Sequence, residues 1–105
     1  MENVITGTEE VVKNLLEENK TSGKVAIIDF YAEWCGPCRT LGPVLNELAS
    51  ENPNIDVIKV NVDDNSDLSA EFKIRSIPAV FIYKDGEKIN QFVGMKSKED
   101  ILKLI

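Results

Sequence analysis

The chain has no histidine and only two cysteines among its 105 residues. Those shortages exclude much chemistry. Without an imidazole there is no Ser-His-Asp or Cys-His catalytic pair. A closed structural zinc site takes about four N or S ligands, and one chain supplies two. We expect neither a metal nor another cofactor. Positive charge is also short: 12 Lys and Arg stand against 18 Asp and Glu, a net charge of −6. Nucleic acid and anionic membrane both reward clustered cations, so neither is an expected partner. The acidic excess suits a soluble monomer. Apolar runs stop after a few residues, far short of a membrane span. The opening Met1-Glu2-Asn3-Val4-Ile5 has neither the basic region nor the apolar stretch of a signal peptide. A cytoplasmic location is the expectation.

What is present suffices for a core. Hydrophobic residues make up 43% of the chain, and a length of this order suits one domain over residues 1–105. Strand and helix signals alternate, which argues an α/β fold. Thr6-Gly7-Thr8-Glu9 resembles a capping box, with Thr6 as the cap. Val11, Val12, Leu15 and Leu16 then form a helical apolar stripe that should end near Ser22-Gly23. Val25 to Tyr31 is almost wholly apolar and predicts a strand buried on both faces. A helix should follow from about Pro37 to Ser50, with Leu41, Val44, Leu45 and Leu48 inward and Pro43 kinking it. Ile55 to Val62 predicts a second buried strand and Ser66 to Phe72 a short helix. Ala79 to Tyr83 and Lys88 to Val93 should pair across the Asp85-Gly86 turn. Ser97-Lys98-Glu99-Asp100 should open a last helix that packs Ile101, Leu102, Leu104 and Ile105 inward. With a short first strand, this is a mixed five-stranded sheet flanked by four helices.

The strongest chemical signal is Trp34-Cys35-Gly36-Pro37-Cys38. It follows a buried strand and opens a helix, the setting in which C-x-x-C reads as a redox pair. Three other readings compete. A zinc half-site would need two more ligands from an oligomer. A structural disulfide across so short a loop restrains the unfolded chain little. Inert core cysteines are the third. Redox chemistry has the better physical case. Cys35 lies at a helix N-terminus, where unpaired N–H groups and the helix dipole favour a thiolate. Cys38, one turn on and less exposed, is within reach to resolve a mixed disulfide. Pro37 suits the first helical turn.

Ile28 to Arg39 resembles the active-site signature of the thioredoxin family, and other motifs follow in order. Pro43 resembles the family's kink proline. Lys59-Val60-Asn61-Val62-Asp63 resembles the strand carrying its buried lysine. Ser76-Ile77-Pro78 resembles the cis-proline loop, Lys84-Asp85-Gly86 the hairpin turn, and Phe92-Val93-Gly94 the substrate-facing loop. The resemblance implies the thioredoxin fold and protein disulfide reduction, with Cys35 attacking and Cys38 resolving. Its implied partners are disulfide-containing proteins and a thioredoxin reductase, and its implied potential is the family's, near about −270 mV. Gly36-Pro37 between the cysteines resembles the reducing members.

Other residues take roles beside this pair. Asp29 is a carboxylate inside an apolar strand; burial would raise its pKa and make it a general base for Cys38. The alternative is an edge residue facing water. Lys59, between Ile58 and Val60, is either a partner for Asp29 or a snorkelling lysine. By resemblance, Pro78 is cis and leaves the Ile77 backbone free to pair with substrate. Trp34 and Gly94 would complete the docking surface. The chain departs from the family at Tyr31, where tryptophan is common, and at Arg39 and Met95. Gly42, before Pro43, should loosen its helical turn. Two other functions remain open: a binding module with incidental redox activity, and an oxidase or isomerase.

Overall fold

The structure is a computed structural model and describes residues 3–105. Met1 and Glu2, part of the N-terminal reading above, lie outside the described residues. The elements are β1 (Val4–Thr6), α1 (Glu9–Ser22), β2 (Val25–Tyr31), α2 (Gly36–Glu51), β3 (Ile55–Asn61), α3 (Ser66–Glu71), β4 (Ala79–Lys84), β5 (Glu87–Val93) and α4 (Lys98–Leu102). The sheet order is β1-β3-β2-β4-β5. β3 runs parallel to β1 and β2, whereas β4 is antiparallel to β2 and β5. Parallel neighbours need a crossover, and α1 and α2 supply it. The tight Asp85-Gly86 turn joins the antiparallel pair.

Strand alternation divides the core into two layers. On one face Val25, Ile27, Val57, Val80 and Ile82 pack under Leu41, Leu45 and Leu48 of α2 and Ile101 of α4. On the other, Ala26, Ile28, Phe30, Ile58 and Phe81 meet Val12 of α1 and Leu68 of α3. Asp29 and Lys59 continue the odd-numbered series of β2 and β3. They are register partners, so both point to the α2 side.

Two details differ from the sequence expectations. The α1 cap is Thr8, whose hydroxyl accepts from Val11 N–H at 3.2 Å. Thr6 is instead the last residue of β1, paired with Lys59. Gly7 then lies flat on β3: its N–H donates to Lys59 O at 2.7 Å, and a Cβ there would sit 2.6 Å from Ile58 Cγ2. The chain must leave the sheet before a helix can start. Leu102 is 38% exposed rather than inward, because α4 turns only one stripe, led by Ile101, toward the core. As the sequence leads one to expect, Pro43 lies inside α2, which stays helical through Gly42 and Pro43.

Candidate functional site

Cys35 and Cys38 form a disulfide, with Cα atoms 5.3 Å apart. β2 ends at Tyr31, and a short turn delivers Cys35 to the N-cap of α2. Cys35 Sγ accepts from Cys38 N–H at 3.3 Å, using one of the amides a helix start leaves unpaired. Once the pair is reduced, the same amide and the helix dipole favour a thiolate at Cys35. Cys38 lies inside the first turn. The two residues are equally covered, each 5% exposed, which corrects the expectation that Cys38 is the more hidden. They cover one another and pack with Ala32 against Tyr31, Val62 and Ile77. Position on the helix distinguishes them, not depth.

The loop before β4 closes one side. The Ile77–Pro78 bond is cis, and Ile77 O lies 3.7 Å from Cys35 Sγ. Gly94 N–H donates to Pro78 O at 2.8 Å. Gly94 has φ +90°, a conformation other residues rarely adopt, and nothing stands within 4 Å of where its Cβ would be. Gly36 and Pro37 are exposed at the start of α2. Trp34 is 69% exposed, and its Nε1–H donates to Asp63 Oδ2 at 3.0 Å. That bond orients the indole beside the cysteines. Asp63 lies just past β3, and nothing in its local sequence announces this contact.

Behind Cys38 lies a cavity of about 280 Å³ lined by Asp29, Tyr31, Glu33, Arg39, Gly42 and Lys59, among others. Asp29 is 1% exposed, and its Oδ1 has no hydrogen-bond partner. Burial pushes its pKa from 3.8 up to about 6, although the Lys59 charge pulls it down. Lys59 is itself lowered by burial, with Asp29 opposing that shift. Its ammonium donates to Gly42 O at 3.4 Å. The site thus joins a dithiol couple to a buried carboxyl that changes charge near neutral pH.

The model of the family described as Thioredoxin matches residues 4–105. The chain belongs to the thioredoxin family. It is 41% identical over 98 residues to a thioredoxin of Chlamydia pneumoniae, covering 90% of this chain and 96% of that one. It is 48% identical over 89 residues to a thioredoxin of Coprinus comatus, covering 81% and 84%. Among solved structures, the Fasciola hepatica thioredoxin superimposes with a TM-score of 0.83 at 33% identity, covering 96% of this chain and 93% of that one. The Nicotiana alata thioredoxin NaTrxh gives 0.85 at 30% identity, covering 96% and 88%. Thioredoxins are disulfide oxidoreductases, and this one carries its redox-active pair at Cys35 and Cys38. The family works on disulfide substrates and is served by reductase partners. Among the described residues no helix is long and apolar enough to cross a membrane.

Proposed function

We propose that this thioredoxin reduces protein disulfides with Cys35 as nucleophile and Cys38 as resolving thiol. The carrying observation is Cys35 at the N-cap of α2, its sulfur facing Cys38 N–H. The Cys35 thiolate attacks a substrate disulfide, and one substrate sulfur leaves as a thiol. Cys38 then attacks Cys35 Sγ and releases the second. Two electrons pass to the substrate, and the protein is left oxidised. A thioredoxin reductase returns them. Asp29 takes the Cys38 proton, and Lys59 tunes Asp29. Trp34, Gly36, Pro37, Ile77, Pro78 and Gly94 form the docking surface. The Ile77 backbone suits pairing with an extended substrate: among the described residues its N–H enters no backbone hydrogen bond. The domain is residues 1–105, acting as a cytoplasmic monomer without nucleic-acid, membrane or metal partners.

The test starts with redox buffers of defined potential, reading the couple by alkylation and Trp34 fluorescence. A value near about −270 mV is expected, the family's figure rather than one derived for this chain. A value tens of millivolts higher would mark an oxidant or isomerase instead. Cys35→Ser should abolish insulin-type disulfide reduction, and Cys38→Ser should accumulate mixed disulfides. Turnover by Cys35→Ser would sink the assignment of the nucleophile.

A further inference from the structure

Gly42 looks costly at first sight. A glycine inside a helix destabilises it by about 1 kcal/mol relative to alanine. Its backbone does not demand glycine, since the positive-φ glycines are Gly23, Gly86 and Gly94. What singles it out is a contact. A Cβ on Gly42 would stand 3.3 Å from Lys59 Nζ, closer than an ordinary van der Waals contact between such atoms. The ammonium also donates to Gly42 O. Lys59 begins on β3 opposite Asp29 and ends against the bare backbone of α2.

The groups around Asp29 are few. Lys59 comes from β3, Tyr31 from the end of β2, Cys38 and Arg39 from α2, and Glu33 from the turn after β2. On β4 its register partner is apolar Val80. Arg39 and Glu33 are exposed, so water screens both. Lys59 is the half-buried cation of the set, and it acts on the carboxyl through the cavity.

We propose that Gly42 is a positioning residue: its missing side chain leaves a notch in α2 that seats the Lys59 ammonium in the cavity it shares with Asp29, behind Cys38. This rests on the reading of Asp29 as proton acceptor for Cys38. A side chain at position 42 occupies the notch. The lysine head, the free end of a flexible chain, swings toward water. Asp29 then loses its nearest cation and holds its proton more tightly. Proton transfer from Cys38 then needs a higher pH.

The test is the Asp29 carboxyl titration, followed by carbon-13 NMR in the oxidised protein, where neither thiol titrates. Gly42→Leu should move it up by roughly half a pH unit or more, and Gly42→Ala less but in the same direction. Lys59→Met should move it up as well. In the Lys59→Met background, Gly42→Leu should add nothing, because the groups act as one unit. An unchanged or lowered titration in Gly42→Leu would overturn the proposal. So would an equal rise in both backgrounds, which would mean that the leucine acts by drying the cavity. If Gly42→Leu does not fold, Gly42→Ala carries the same comparison, since alanine favours the helix. A purely structural glycine would change melting temperature and leave the Asp29 titration in place. If the titration moves as stated while the pH profile of the Cys38 step does not follow, the acceptor role of Asp29 fails and the positioning role of Gly42 stands.

Discussion

Asp29 puts a carboxyl in the middle of the most buried strand, and the protein bears a cost for it. In the unfolded chain the group loses its proton near 3.8, and in the folded protein near 6. Between those values the folded state holds more protons than the unfolded one, so stability falls as pH rises through the window. Such a shift corresponds to about 3 kcal/mol, lost in full above it. Asp29→Asn should therefore stabilise the protein by about 1–3 kcal/mol in urea unfolding at pH 7.5 and by almost nothing at pH 3.5. The same variant should slow release of the reduced substrate from the mixed disulfide. In the wild type that step should weaken as pH falls below about 6, where Asp29 is already protonated. Stopped-flow pH profiles of the two proteins check this: the inflection should vanish in Asp29→Asn. Cost in stability and service in catalysis would then trace to one oxygen pair.

At the scale of elements, α2 is organised from its first turn. Cys35 caps it, Pro37 lies in the first turn, and Leu41, Leu45 and Leu48 bind it to the sheet. The redox pair is therefore held by a helix anchored along sixteen residues. α1 shows how a local motif can mislead. Thr6 and Glu9 have capping-box spacing, yet Thr8 is the cap because β1 claims Thr6 through β3. Thr8→Ala should cost about 1 kcal/mol. Thr6→Ala should cost only a few tenths, as an exposed strand substitution does. Urea midpoints with unchanged m-values would separate the two, and equal losses would restore Thr6 as the cap.

For the molecule as a whole, the two core layers share β2, β3 and β4. Ile82 is fully buried in the layer that supports α2 and α4. Ile82→Ala should cost about 2–5 kcal/mol, measured by thermal or urea unfolding. Because α2 carries the cysteines, the loss should also loosen the site. Charge works at this scale too. With a sequence pI near 4.6, solubility should be lowest around that pH and recover above it as the net negative charge returns. Light scattering across pH 4 to 8 reads this directly, and a solubility minimum elsewhere would mean that a local patch controls association.

Much of this was legible in the sequence because the signals are local. Apolar runs and their period marked β2, β3 and α2, and Trp34 to Cys38 marked the redox pair at a strand-to-helix turn. Asp29 stood out as one carboxyl in an apolar strand. What tertiary structure decided depends on elements distant in the chain. Gly42 looked like a weak point until β3 brought Lys59 against it. Asp63 had no evident role until its carboxylate met the Trp34 indole across a gap of 29 residues. Position along α2 predicts Cys38 to be the deeper residue, yet both cysteines are covered alike, packed against Tyr31, Val62 and Ile77. Sequence patterns report the period of one element and the face it buries. They do not report which side chain another element sets opposite, and that juxtaposition, Lys59 across from buried Asp29, sets the charge around the carboxyl here.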